Sequence, residues 1–519
     1  MRAQTAPAGF SDLARSLTDD VVASGSETLA VPTPSTGDTL HELPRSSADD
    51  VRDAIARARL AQLSWARAGF AARKRILLAA HDLILERRDE LLDLIQLESG
   101  KTRGQGFEEI FQAVSVTRYN AIAARKVLHG RAVRAGLPTV ATTRVRFAPK
   151  GVVGVITPWN YALSLAAMDV VPALAAGCAV VQKADDQGAL SILALRRAFI
   201  DAGVPESLWA VVTGDAAEVG EALTDEADYI CFTGSTATGR RIAEKAGRRL
   251  VGASLELGGK NALLVLDDAD PATAAANAAH ACFSAMGQLC VSIERIYVDR
   301  KIAGPFERVL VERLRTAKLG TALGFGADFG SLASAAQLAR VEAHLADAVA
   351  KGATVLVGGK HRPDLGPWVF EPTILTGVTP EMSVYAEETF GAIASLYLVS
   401  SDDEAVLAAN ASEYGLNAAV FTSSPRRGQR IADALAAGSV NVNEGYRGAF
   451  SSVAAPMGGV KQSGVGRRNG EAGLLRFVEP ITISQTTGLL QLPRTSEEYE
   501  AKAPLLLLLA RALKAIGRA

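Results

Sequence analysis

The sequence predicts an α/β protein of two parallel-sheet domains. Three observations carry that expectation: the length, an ordinary globular composition, and a repeated alternation of short β-rich runs with helical stretches. At 519 residues the chain exceeds the ~250–300 residues at which a single hydrophobic core stops growing, so two or three domains are required. Its residues are 48% hydrophobic and 21% charged, with a formal net charge of −1. That balance provides neither a basic stripe for nucleic acid nor an acidic tail, so no nucleic-acid partner is expected.

Residues 48–127 carry apolar positions at helical spacing, as in Ile76-Leu77-Leu78 and Leu91-Leu92-Asp93-Leu94-Ile95, and predict successive amphipathic helices. From about residue 143 the pattern changes. Apolar runs at 152–156, 179–181, 209–212 and 229–232 alternate with helices, as βαβ units do in a sheet covered on both faces. The alternation resumes past Gly259, with candidate strands at 262–266, 293–298, 353–357, 394–399, 418–421 and 439–442, and makes a second α/β domain. Gly258-Gly259 is the expected hinge between the two.

The four cysteines, Cys178, Cys231, Cys282 and Cys290, show no C-x-x-C pair and no zinc-type spacing, so a reducing compartment and no metal are expected. The first twenty residues carry Asp12, Asp19 and Asp20 and no apolar stretch of signal length, which makes a cytoplasmic location the expectation. Cys290, which ends Phe283-Ser284-Ala285-Met286-Gly287-Gln288-Leu289-Cys290, follows Glu256 of Leu255-Glu256-Leu257-Gly258-Gly259-Lys260 by 34 positions. A cysteine reacts as its thiolate, on partly exposed and often Gly-bordered backbone. Glu256 precedes a Gly-Gly pair at which the chain can turn and aim a carboxylate, or a water held by it, at another group. A lone cysteine is otherwise a small buried hydrophobe. None of the six histidines is spaced to activate Cys290, which argues against a Cys-His hydrolase.

Three strand ends carry further candidates. Phe232-Thr233-Gly234-Ser235-Thr236 closes a strand and opens a helix, a turn that either cradles a phosphate or is merely a tight corner. Gln182-Lys183-Ala184-Asp185-Asp186 offers ribose-binding groups in Lys183 and Asp186, or a solvated turn. Thr157-Pro158-Trp159-Asn160 offers the Asn160 amide to an oxyanion, or an aromatic-capped loop.

Together with Glu387-Glu388-Thr389-Phe390-Gly391, these segments resemble, in order and approximate spacing over residues 30–485, the NAD(P)-dependent aldehyde dehydrogenase superfamily. They are most similar to a diverged succinate-semialdehyde dehydrogenase branch, through Cys290-Val291-Ser292-Ile293-Glu294-Arg295 and Ala455-Pro456-Met457-Gly458-Gly459. The resemblance implies two Rossmann-like domains and a small β oligomerisation arm. The cofactor-binding domain takes 1–130 and 150–257, the catalytic domain 258–460, the arm 131–149 and 470–485, and a tail 486–519. It implies Cys290 as nucleophile, Glu256 as base and Asn160 as oxyanion donor. Lys183 and Asp186 match ribose-binding positions, Gly234 and Ser235 the pyrophosphate turn, Thr157, Trp159 and Leu257 the nicotinamide surroundings, and Glu388 and Phe390 the nicotinamide ribose grip. NAD or NADP is the implied cofactor, a small aldehyde the substrate, and a homodimer or homotetramer the assembly.

The implied reaction is oxidation of an aldehyde to its acid, with succinate semialdehyde to succinate as the leading case. The alternatives are a non-carboxylated aliphatic or aromatic aldehyde, a CoA-acylating enzyme, and a non-catalytic scaffold. Two departures bear on the choice. Met168 and Ser284 occupy positions where better-known succinate-semialdehyde dehydrogenases carry arginines for the substrate carboxylate; Arg447 is the candidate substitute. Asp186, a carboxylate beside a 2′-phosphate, favours NAD over NADP. The leucine-rich tail 504–519, with Arg511, Lys514 and Arg518, is too short to span a bilayer; it is read as a helix docked on a neighbouring subunit or frayed, with weak membrane contact as the alternative.

Overall fold

A computed structural model describes residues 6–135, 140–488 and 491–516. Helices Ala48–Arg67, Gly69–Glu86, Arg88–Ser99 and Arg103–Leu128 fill the span read as helical. The first and last open on capping boxes, Ser47 with Asp50 and Thr102 with Gln105, which satisfy backbone donors that have no partner within the helix.

The first large sheet has six strands in the order Gly464–Val465, Gly252–Glu256, Tyr229–Thr233, Val152–Ile156, Ala179–Lys183, Trp209–Val212. All neighbours are parallel except the first pair. The second has seven: Thr354–Val357, Thr373–Thr376, Ile393–Val399, Ile293–Asp299, Asn261–Val265, Asn417–Phe421, Ser439–Val442. Only its outer pair, Thr354–Val357 with Thr373–Thr376, is antiparallel. The central strands are Val-, Ile-, Leu- and Ala-rich and buried along their length, as a sheet covered on both faces requires.

All ten expected strands occur. Strands Gly252–Glu256 and Thr373–Thr376 and the hairpin of Thr28–Pro32 with Thr39–Pro44 were not expected, because none is a continuous apolar run. The chain crosses between sheets at residues 257–260 and returns at Gly464–Val465, which pairs antiparallel with Leu255 and Glu256. Both crossings therefore flank Glu256. Neither Gly258 nor Gly259 has a left-handed φ; a Cβ on Gly258 would lie 2.5 Å from Glu388 Oε2. The glycine pair thus serves close approach rather than the sharp turn expected.

A third sheet pairs Val478–Thr486 with Ala141–Pro149 and that strand with Arg131–Val133; residues 136–139 lie outside the described residues. Helix Ser496–Ala515 buries none of its side chains; Arg518 lies outside the described residues. Among the described residues no helix is long and apolar enough to cross a membrane.

Glu98, 1% exposed, holds the turn after strand Ala179–Lys183 in place. Its carboxylate accepts from Leu190 N at 2.7 Å, Ser191 N at 2.8 Å and the Ser191 hydroxyl, while its carbonyl accepts from Gln187 Nε2 at 2.7 Å. Replacing it by alanine leaves buried donors at the start of helix Ala189–Asp201 unpaired. Glu98→Ala is therefore expected to cost about 1–3 kcal/mol, seen as a lower melting temperature.

Candidate active site and cofactor groove

Cys290 lies in the connection between helix Pro271–Phe283 and strand Ile293–Asp299. Just before it the backbone is left-handed at three successive residues, Ala285 (φ 48°), Met286 (φ 58°) and Gly287 (φ 75°), a costly conformation for the two with a Cβ. A Cβ on Gly287 would lie 2.2 Å from Gly391 O, so only glycine fits. The surroundings compensate for the strain. Gln288 Nε2 donates to Ala285 O at 2.9 Å and its Oε1 accepts from Ala333 N at 2.9 Å; Asn261 Nδ2 donates to both Cys290 O and Ser292 O at 2.7 Å. Cys178, Cys231 and Cys282 are buried, whereas Cys290 is partly exposed.

A cavity of about 250 Å³ opens in front of Cys290, lined among others by Trp159, Asn160, Glu256, Leu257, Glu388 and Phe390. Burial first, then the carboxylates of Glu256 and Glu388, pushes the Cys290 thiol up to about 12; at neutral pH it rests as a thiol. Burial likewise pushes Glu256 up to about 7 against the opposing guanidiniums of Arg468 and Arg476. Asn160 Nδ2 donates one hydrogen to Gln288 O at 2.9 Å and has a second left. Below it, buried Lys101 donates to Glu109 at 2.6 Å and to Asn160 O.

Glu388 accepts from Gly259 N at 2.8 Å, and burial pushes it up to about 7. The Trp159 and Phe390 rings meet edge to face, centroids 5.7 Å apart. Phe390 is left-handed (φ 54°). Its turn is held by Glu294, which accepts from Thr389 N and Phe390 N at 2.9 Å and from Lys260 Nζ at 2.5 Å. Gln337 and Arg340 secure the turn from outside, on Phe390 O and Thr389 O.

A second cavity, about 480 Å³, shares Pro158, Trp159, Thr233 and Gly234 with the first and runs past Thr157, Lys183, Asp185, Thr238 and Arg241. Ser235 caps helix Thr236–Arg249 through Thr238 N, so the helix N-terminus faces the groove where the two cavities join, a place suited to an anion. Leu257 packs on Gly239, where a Cβ would lie 2.4 Å from its Cδ2.

The structure thus brings together Cys290, Glu256, Asn160, Thr157, Trp159, Lys183, Gly234, Ser235, Leu257, Glu388 and Phe390. Asp186 departs from its expected place. It accepts from Gly214 N at 3.3 Å, and of the two neighbours it is Asp185 that lines the groove, along with Asp215 and Glu221; a turn of consecutive residues sends their side chains in different directions. Arg447 departs too: Glu444 takes its guanidinium at 2.8 Å. Sequence reasoning passed over the supporting residues Glu294, Lys260, Gln337 and Arg340. Lys260 and Glu294 sit inside quoted motifs, but nothing local pairs them. Among the described residues no group of three or more His, Cys, Asp or Glu is placed to hold a metal ion.

The aldehyde dehydrogenase family pattern matches residues 21–483. The chain belongs to the aldehyde dehydrogenase family. A Mycobacterium ulcerans protein named putative succinate-semialdehyde dehydrogenase (NADP(+)) 2 is 49% identical over 449 residues, 86% of this chain and 87% of that protein. The mitochondrial succinate-semialdehyde dehydrogenase of Oryza sativa is 36% identical over 457 residues, 87% of this chain and 85% of that one. Among solved structures, the NAD+ complex of a Bacillus cereus aldehyde dehydrogenase superposes with TM-score 0.86 at 33% identity, covering 90% of this chain and 95% of that chain. An E. coli NADP-dependent enzyme gives TM-score 0.86 at 35% identity, covering 90% and 96%. As in the family, the two sheets are Rossmann-like, and NAD or NADP fits the joined groove with its helix N-terminus midway.

Gly287→Ala should displace the strained turn from Gly391. The expected cost is about 1–3 kcal/mol from overpacking, with a fall in both melting temperature and aldehyde oxidation rate; unchanged values would show that the turn relaxes freely.

Proposed function

We propose that this aldehyde dehydrogenase oxidises a small aldehyde to its acid in a cleft where Cys290 is the nucleophile, Glu256 the base and Asn160 the oxyanion donor. The observation that carries the proposal is the convergence of a partly exposed cysteine that follows a strained turn, a buried carboxyl that titrates near neutrality and an amide with a spare hydrogen on one 250 Å³ cavity. As sulfur adds to the carbonyl carbon, the Cys290 thiol proton passes to solvent water at the open side of the cavity and the C=O π pair moves onto oxygen, forming the thiohemiacetal oxyanion. The second Asn160 N–H and the Cys290 backbone N–H hold the oxygen that becomes negative. Sulfur addition makes the carbon tetrahedral and electron-rich, which turns one difficult step into easier ones. The dinucleotide, when bound, supplies the hydride acceptor. Glu256 then takes a proton from water attacking the thioester.

Lys183 and Asp185 would hold the adenosine ribose, Gly234, Ser235 and the helix start the pyrophosphate, and Glu388 the nicotinamide ribose, with Thr157, Trp159, Leu257 and Phe390 around the ring. Asp186 is turned to Gly214, but Asp185 keeps a carboxylate in the groove, so the lean toward NAD passes to Asp185 and is opposed by Lys183 beside it; both NAD and NADP are admitted.

The relatives' names put succinate semialdehyde first among substrates. A specific observation favours a non-carboxylated aldehyde instead. Ser284 Oγ lies 2.8 Å from the Tyr446 phenol oxygen, which donates to Glu108, and Met168 is apolar. Two nearby cations already face carboxylates: Lys101 with Glu109 and Arg447 with Glu444. The long ribbon of Val478–Thr486 and Ala141–Pro149 supports assembly into a homodimer or homotetramer. The unpaired cysteines support a cytoplasmic site. The exposed leucine-rich helix Ser496–Ala515 supports subunit docking, or weak membrane contact.

Asn160→Ala is expected to lower kcat by about 10²–10³, and Cys290→Ala to abolish it. In Glu256→Gln a burst of reduced cofactor should persist while steady turnover stops. Wild-type kcat should rise as pH passes through about 7, since the base acts as a carboxylate. A panel of aldehydes with and without a terminal carboxylate, run with NAD and with NADP, decides the substrate: a kcat/KM advantage for the carboxylated members supports succinate semialdehyde, and its absence supports the second reading.

A further inference from the structure

Beside Glu256 lies a set of charges that the scheme above leaves unused. Asp169, shielded from solvent in helix Ala162–Ala176, accepts from Arg468 Nε at 2.9 Å and Nη2 at 2.5 Å, and from Arg476 Nη2 at 2.7 Å. Arg468 is itself 2% exposed. Each guanidinium is also fastened to the sheet: Arg468 Nη2 donates to Thr233 Oγ1 at 2.5 Å, and Arg476 Nη1 to Ser254 Oγ at 2.7 Å. Thr233 stands opposite Glu256 in the parallel pairing of their strands, and Ser254 is two residues back along the Glu256 strand. Side chains in register, and those two apart on one strand, share a face. Both guanidiniums are therefore fixed on the face from which the Glu256 carboxylate projects.

Glu256 Oε1 is buried and has no hydrogen-bond partner. It lies against Gly458, where a Cβ would come within 2.9 Å. A buried carboxylate without donors stays ionised only if nearby charge replaces its lost solvation. Two arginines against one aspartate leave a net charge of +1, which an ionised Glu256 neutralises.

We propose that Arg468, braced by Asp169 and Arg476, is a positioning residue whose fixed charge favours the ionised form of Glu256. This rests on the reading of Glu256 as the base. The charged and titratable groups facing Glu256 are Arg468, Arg476 and Asp169 from the buried set, Arg467 from the returning loop, and Cys290 and Glu388 across the cavity. Removing a cation raises the pH at which the base loses its proton; removing the Asp169 charge lowers it.

The test is the pH profile of kcat, with the burst of reduced cofactor, for the full chain at saturating aldehyde and NAD or NADP. Arg468→Gln should move the acid limb upward by about one pH unit, so that turnover at neutral pH falls about fivefold while the burst remains. Arg468→Lys should return the limb most of the way, and Asp169→Asn should move it the opposite way. Thr233→Val, which unfastens the guanidinium without altering charge, is the variant to use if Arg468→Gln fails to fold, and should shift the limb upward by less. A limb that stays in place in folded variants, or moves the same way in Arg468→Gln and Asp169→Asn, overturns the proposal. If the wild-type limb survives Glu256→Gln, the assignment of the base itself has failed.

Discussion

Glu294 accepts at once from Lys260 Nζ and from the backbone N–H groups of Thr389 and Phe390. One carboxylate thereby ties the crossing that follows Glu256, the strand that follows Cys290 and the turn that carries Glu388 and Phe390. The pair with Lys260 is 2% and 4% exposed. Two charges are taken from water at a cost of several kcal/mol each, which only close geometry and satisfied oxygens repay. Both Glu294 oxygens are satisfied, so the cleft's far wall is fixed relative to its floor. Without that tie, Phe390 has no reason to hold a left-handed φ opposite Trp159.

The loop that carries Cys290 shows the same logic in backbone rather than charge. Three left-handed residues in a row would relax in isolation; here Gln288 and the Gly391 carbonyl confine them, and Asn261 fixes the chain just after them at Cys290 O. Strain of this kind persists only where the surroundings over-determine it, and it places Cys290 partly in the open while the other three cysteines are sealed in the core.

Burial also sets the chemistry of the titratable groups. The Cys290 thiol and the carboxyls of Glu256 and Glu388 are all raised above their ordinary values, chiefly by lost solvation. Low dielectric strengthens every remaining interaction, so the charges of Arg468, Asp169 and Arg476 bear on Glu256 with little water between. A carboxyl that titrates near neutrality can both accept a proton and release it.

Much of this was legible in the chain. The ten expected strands, the helical stretch before residue 128 and the segments holding Cys290, Glu256, Asn160 and the Gly234-Ser235 turn all follow from local pattern, because periodicity and turn chemistry act over a few residues. Strand Gly252–Glu256 escaped because Gly252, Ala253 and Ser254 make no apolar run; it is a strand only because Thr233 and Gly464 lie on either side. Asp185 rather than Asp186 on the groove, Arg447 spent on Glu444, and the pairing of Lys260 with Glu294 or Arg468 with Asp169 were decided by the tertiary structure alone. Side-chain direction and charge neighbourhood depend on residues brought together from far along the chain, 299 positions for Arg468 and Asp169 and 338 for Tyr446 and Glu108, and no local pattern encodes that distance.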